Sequence, residues 1–289
     1  MRPLHRLFAA IATGMLLYSG TVLALAPATV ELVQAPAWLE RDGRSQPLAP
    51  GMELRNGDLV RTGPGARAYL MLAEGSRVKL GESARFNLHN RNLHPEKSFS
   101  GALDILAGAF RFTTGKLKKS VPRDLAIRVG TATIGIRGTD IWGKTDRDGD
   151  LVALIEGRIE ITRAGQATEM SQAMSYYDAP QGKDATVKAL DLETFARLAR
   201  QTDIVAGDGA AALRGQWKII AGAAEDQAAA LKIYDEARNA GFSTRIRLTT
   251  AAEAGRYEVV LGGYTSAAEA EVAAARLKAA TELKPRVAR

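Results

Sequence analysis

From Gly51 to about Pro180 the chain alternates apolar and polar residues in short runs separated by glycine. Examples are Ala68-Tyr69-Leu70-Met71-Leu72, Arg77-Val78-Lys79-Leu80, Arg85-Phe86-Asn87-Leu88, Leu125-Ala126-Ile127-Arg128-Val129 and Arg158-Ile159-Glu160-Ile161. A period of two puts successive side chains on opposite sides of an extended strand, so one side can be buried and the other wetted. Many short strands at close spacing cover their apolar sides by folding over one another. This predicts a sandwich, barrel or coiled β architecture.

The pattern changes at both ends of this stretch. Residues 27–50 read as an N-terminal linker with short extended pieces such as Thr29 to Gln34. Residues 181–213 read as a helix followed by a hinge. Asp191 can cap Leu192 to Arg200, with Leu192, Phe195, Leu198 and Ala199 on one side, and Ala206-Gly207-Asp208-Gly209-Ala210 reads as flexible. The last segment, 214–289, repeats a plan. The strand Trp217 to Gly222 leads to an alanine-rich helix, Asp226 to Asn239; Gly241 stops it, and Phe242 to Leu248 is a strand. The strand Tyr257 to Gly262 then leads to a helix capped by Ser266 and ending at Ala280, and Pro285 to Ala288 closes. Two βαβ halves make a four-stranded sheet with both helices on one face, leaving the other face open. Leu231 and Tyr234 are expected to be core contacts of the first helix.

The formal charge is +7 and no cysteine is present. The charge suggests an acidic partner, and the missing cysteines exclude disulfides, thiolate catalysis and Cys-zinc sites. Arg2, His5 and Arg6 precede an apolar stretch from Leu7 to Leu25, and Ala24-Leu25-Ala26 is a small-x-small pattern. Residues 1–26 therefore read as an export signal, cut after Ala24, Ala26 or Ala28, or kept as an anchor helix. Either way the rest of the chain is expected outside the cytoplasm, in the periplasm. Nucleic acid is then not the expected partner, and the membrane is touched only through an uncut signal.

The repeat resembles the SPOR (sporulation-related repeat) domain. The closest stretch is Arg256-Tyr257-Glu258-Val259-Val260-Leu261-Gly262-Gly263-Tyr264-Thr265-Ser266, before the capped helix. The resemblance implies an α+β domain, βαββαβ, that binds peptidoglycan glycan strands stripped of stem peptides, with a link to cell division. Two positions depart from the family: Ile220 stands where a glutamine is common, and Ala224 where an aromatic is. If Trp217, Ile219, Ile246, Leu248, Tyr257, Val259 and Leu261 face the helices, Lys218, Ile220, Arg245, Arg247, Arg256 and Glu258 lie on the open face. Those six, with Tyr264 as a surface for a sugar ring, are the candidate glycan-binding residues. Bare glycan exposes lactyl carboxylates, which arginine can grip with paired N–H donors.

The middle domain, 51–180, resembles the FecR family over about residues 50–162. Gly57-Asp58-Leu59-Val60-Arg61-Thr62-Gly63, Ala68 to Ser76, Val129-Gly130-Thr131 through Asp140, and Ile155-Glu156-Gly157-Arg158-Ile159 carry the likeness. It implies an all-β periplasmic domain with a protein partner. Only Met1 to Arg6 precede the apolar run, so direct control of a sigma factor is not expected. Gly138 is expected to permit a bend tied by Arg137.

No catalytic residue, metal site or cofactor is expected. Asp146-Arg147-Asp148-Gly149-Asp150 has alternate carboxylates but lacks the glycine and distal glutamate of a calcium loop, so it reads as a hairpin turn. His89 and His94 have no third ligand nearby in sequence. Lys116-Leu117-Lys118-Lys119 reads as a solvated loop. The reading is a wall-binding adaptor; the alternative is an envelope signalling component whose C-terminal module no longer binds glycan.

Overall fold

The computed structural model describes residues 26–90, 99–115, 123–249 and 257–289. The export segment, His94, the Lys116–Lys119 run and Arg256 lie outside these residues. The alternating stretch forms two layers. One runs β4 (Glu53–Leu54), β1 (Ala28–Gln34), β6 (Arg67–Leu72), β7 (Arg77–Leu80), then halves of β9 (Phe99–Thr113), β11 (Ala132–Asp146) and β12 (Gly149–Arg163), then β14 (Ser175–Pro180) and β15 (Thr186–Ala189). The other runs β3 (Arg44–Pro47), β2 (Ala37–Arg41), β5 (Leu59–Thr62), β8 (Arg85–Asn90), the other half of β9, β10 (Arg123–Val129), the other halves of β11 and β12, and β13 (Gln166–Met170). Pairing is antiparallel except between β9 and β10. The N-terminal residues 27–50, expected as a linker, supply β1 to β3. Their side chains Val30 and Leu39 are buried in the core.

Three long strands pass from one layer to the other, and each turns the corner at a glycine. Gly108 in β9, Gly138 in β11 and Gly157 in β12 have φ of +84°, +64° and +95°. The β11–β12 ladder breaks between Arg137 and Asp140. A Cβ on Gly157 would lie 2.4 Å from the Gly138 carbonyl oxygen, and one on Gly108 2.6 Å from Ala84 Cα. At Gly108 and Gly157 only glycine meets both the dihedral and the space, while at Gly138 the dihedral alone favours it. Inside, the inward residues of both layers, among them Leu70, Phe86, Phe110, Phe112, Ile134, Ile141 and Leu154, form one core.

The next residues along the shared strands face outward and are also covered. Ala109, Trp142 and Ala153 pack against Leu198 and Phe195 of α1 (Leu192–Thr202). Leu192, expected on the packed side, is exposed in the helix's first turn. Asp191 caps α1 by accepting from the Thr194 N–H at 2.7 Å and from its hydroxyl at 3.0 Å. These bonds favour the charged carboxylate and hold its pKa below the usual value. The cap's contribution is therefore present above the ordinary aspartate range and is lost as pH falls through the folded-state value. We expect D191N to flatten the wild-type loss of thermal stability between neutral and acid pH. Equal acid sensitivity of the two proteins would remove the cap from the account.

Residues 217–288 follow the repeat. Strands β17 (Trp217–Ala224), β18 (Arg245–Leu248), β19 (Tyr257–Tyr264) and β20 (Arg286–Ala288) form an antiparallel sheet in the order β18-β19-β17-β20. Helices α2 (Gln227–Asn239) and α3 (Ala267–Ala280), capped by Asp226 and Ser266, pack on one face. Ile219, Val259 and Leu261 meet Ala230, Ala237, Ala273 and Leu277 there. Small helix residues let helix and sheet approach closely. Tyr234 packs against this core, but Leu231 is exposed, contrary to the sequence expectation.

A short strand, β16 (Ala210–Ala212), joins the two parts. It pairs with Leu32–Gln34 of β1 on one side and reaches Tyr264 of β19 on the other. The stretch Ala206–Ala210, expected to be a hinge, is held instead. The buried Glu269 carboxylate, at the start of α3, accepts from the N–H groups of Gly207, Gly209 and Ala210 at 2.7, 2.6 and 2.9 Å. Gly207 and Gly209 have φ of +93° and +78°, which lets the backbone curl around that carboxylate. Arg276 of α3 donates to the Gly65 carbonyl, and the Ala37 N–H donates to the Gly241 carbonyl. The Trp38 ring leaves no room for a Cβ at Gly241.

Candidate functional site

The ladders fix which residues share the open sheet face. Directly paired residues point the same way. One row reads Arg245–Val260–Ile220–Arg286, the next Arg247–Glu258–Ala223, and the third joins Lys218 to Gly262 and Ala288. Lys218, Ile220, Arg245, Arg247 and Glu258 thus share the face as the period-two reading expects. Arg286 joins them. It went unassigned in sequence because the parity of the closing strand is set only by its pairing with β17.

These side chains are not equally available. Glu258 is 3% exposed and is gripped from two sides. Arg247 donates to it through Nε at 2.9 Å and Nη2 at 2.5 Å, and Arg286 through Nη2 at 3.2 Å. The single Glu258 charge is thereby shared between two arginines, so the trio keeps a net positive charge, and Glu258 is a holder of arginines rather than a surface contact. Ile220 is also buried, as is Val260 beside it. Their row ends in arginines on both sides, whose aliphatic stems suit covering apolar neighbours. Lys218 donates to the backbone oxygen of Arg289. Arg245 is exposed, and its guanidinium has no hydrogen bond or ion pair among the described residues.

Tyr264 departs furthest from expectation. It is buried against Ala211 and the helices, and burial pushes its phenol pKa far up. A bulge causes this. Trp217 pairs with Tyr264 but Lys218 with Gly262, so Gly263, at φ +95°, is the extra residue. One extra residue sends the following side chain to the other face. Its ring cannot stack on a sugar from there. Leu248, expected inward, is exposed at the free edge of β18.

The polar residues of the middle domain's signatures are internal fasteners. Asp58 accepts from Arg41 and from the Arg55 N–H. The Thr62 hydroxyl donates to the Gly81 carbonyl at 2.7 Å and accepts from the Ala84 N–H at 2.9 Å. Asp150 accepts from the N–H and hydroxyl of Thr131 at 2.9 and 2.7 Å. A Cβ on the intervening Gly130 would sit 2.0 Å from that carboxylate. Asp140 accepts both prongs of Arg111 at 3.0 and 2.8 Å. Asp146 to Gly149 is the turn of the β11–β12 hairpin, where the Asp148 N–H donates to Asp146 at 2.9 Å. His89 lies 3.3 Å from Asp104, which also pairs with Arg128.

Residues 58–160 match the family described as FecR protein, and residues 213–289 match the SPOR domain family. The chain carries a FecR domain followed by a SPOR domain. Both are non-catalytic binding or signalling domains of the bacterial envelope; the SPOR domain points to peptidoglycan and the FecR domain to envelope signalling. No curated protein matches the chain. Among solved structures, two crystal structures of a proposed anti-sigma factor from Parabacteroides distasonis ATCC 8503, at 1.65 and 2.50 Å resolution, resemble it with TM-score 0.40 and 11% identity. The match covers 48% of this chain and 62% of that one, so the chain spans about three fifths of that protein's length. At such a likeness neither fold nor function transfers. Among the described residues of the FecR–SPOR chain no helix is long and apolar enough to cross a membrane.

Proposed function

We propose that this chain is an exported periplasmic adaptor that binds denuded peptidoglycan glycan through the open face of its SPOR sheet and a protein through its FecR domain. The observation that carries the reading is Arg245, an exposed guanidinium without a partner among the described residues, on a face that also holds Lys218, Arg247 and Arg286. Glu258 keeps two of those arginines in place, as an internal anion that positions a cationic surface. A lactyl carboxylate would meet Arg245 first, in a two-pronged contact.

Co-sedimentation with purified sacculi, before and after amidase treatment, tests this. The chain lacking residues 1–26 should be used, because the SPOR sheet is laddered to β1 through β16. We expect pelleting only with amidase-treated wall, weakened by added salt. Arg245→Ala should weaken it about tenfold, the worth of one charge-assisted contact. Pelleting that ignores amidase treatment, or survives R245A unchanged, defeats the reading. The second reading is a signalling or protein-interaction component whose SPOR module has lost glycan binding. It draws support from buried Ile220 and Tyr264, and from the two arginines already engaged by Glu258. Absence of pelleting with either wall preparation favours it.

A further inference from the structure

The edge of β19 has a gap. β18 pairs with it from Leu248↔Tyr257 to Arg245↔Val260, and β16 meets the same edge at Ala211↔Tyr264. Between them, Leu261 and Gly262 have no ladder partner on that side among the described residues, while Gly263 is already covered by Ala212, whose carbonyl oxygen would lie 2.6 Å from a Cβ there. The gap opens into a cavity of about 300 Å³ whose far wall comes from the FecR side, through Val33, Leu48 and Pro50. Thr244 lines it, is only 8% exposed, and has a hydroxyl with no hydrogen-bond partner among the described residues. Arg245 stands at its rim.

We propose that this slot binds a short extended peptide ending in a free carboxylate. An unpaired strand edge offers N–H and C=O groups that an extended backbone can complete, as in strand addition. The strands on either side both run antiparallel to β19, so the occupant continues an existing ladder. Gly262, the exposed residue of the gap, leaves the space beside it open. The nearest atom to a Cβ on Gly262 would be Arg245 Nη2, at 3.9 Å. The aliphatic wall suits small apolar side chains, Arg245 suits the carboxylate, and Thr244 gains the partner it lacks. The volume lies at the lower end of the range for ligand pockets, which limits the occupant to a short segment. Both domains build the slot, so it exists only while they are docked. The site uses the edge of the sheet, whereas the glycan reading uses its face.

Calorimetric titration of the chain lacking residues 1–26 with trialanine, as free acid and as C-terminal amide, tests the proposal. The acid should bind, and the amide at least about tenfold more weakly. Thr244→Val should weaken binding severalfold while leaving the melting temperature unchanged or higher, because it removes a buried unpaired hydroxyl. Arg245→Gln, an exposed change, should erase the preference for acid over amide. No heat with the acid, equal binding of acid and amide, or a preference for acid that survives R245Q overturns the proposal. Glycan pelleting is read separately, so each idea can fail while the other stands.

Discussion

Replacing Asp58 by alanine should lower stability by about 3 kcal/mol, the low end of the range for removing one partner of a buried ion pair. The Asp58 side chain is 2% exposed, so its charge depends on internal partners. Arg41 supplies Nε at 2.7 Å and Nη2 at 2.6 Å, and the Arg55 N–H adds a third donor at 2.7 Å. The carboxylate thereby ties β2 to the turn that enters β5. Arg41 is 22% exposed and can regain water when Asp58 is gone, which holds the loss to the low end. Arg41→Met should cost at least as much, because it strands the less accessible charge. The double variant should lose less than the sum of the singles, since the second change then removes an already orphaned group. For a chain of this size the single loss corresponds to a fall of roughly 6–12 °C in melting temperature. A change within about 2 °C in calorimetry would show that the Gly57-Asp58 signature is kept for something other than this fastener.

The local elements of this chain were legible because their causes are local. Period-two runs gave the strands of the sandwich. Asp191, Asp226 and Ser266 marked helix starts because a side-chain acceptor three residues before a free N–H is a short-range arrangement. The open-face positions Lys218, Arg245, Arg247 and Glu258 followed from the same periodicity. What stayed hidden depends on partners distant in sequence. Thr29 to Gln34 looked like linker, yet β1 finds β6 and β16 far along the chain. The bulge at Gly263 reverses Tyr264, and nothing in the run Leu261-Gly262-Gly263-Tyr264 says which glycine will be the extra residue. The burial of Glu258 follows from Arg286 arriving on β20, from the far end of the second repeat. The peptide slot was invisible for a related reason: it is a gap between two strands that meet the same edge, with a wall from the other domain.

The same distance effect concealed Glu269, whose replacement should change how the two domains are held. Ser266-Ala267-Ala268-Glu269 has the spacing of a capping box, in which the glutamate would turn back to the Ser266 N–H. Ser266 does its part, accepting from the Glu269 N–H at 3.2 Å. The Glu269 carboxylate, 7% exposed, turns outward and takes the N–H groups of Gly207, Gly209 and Ala210. Glu269→Ala would leave three backbone donors without acceptors in a covered place, at about 1–3 kcal/mol for each that stays dry. The segment can avoid most of that by leaving its seat, so the expected result is local release. Proteolysis should appear between Val205 and Ala210, and calorimetry should resolve two transitions where a single one is expected for the wild type. Glu269→Gln is not a mild substitute. Its amide nitrogen would face either the Gly207 N–H or the pair from Gly209 and Ala210, donor against donor, so it should behave more like alanine than like glutamate. Continued protease resistance and a single transition in both variants would mean that the β1–β16 ladder and the Arg276–Gly65 contact hold the domains without it. Release would show that a glycine-rich stretch with the composition of a hinge is rigid only because one carboxylate, some sixty residues onward in the chain, holds it.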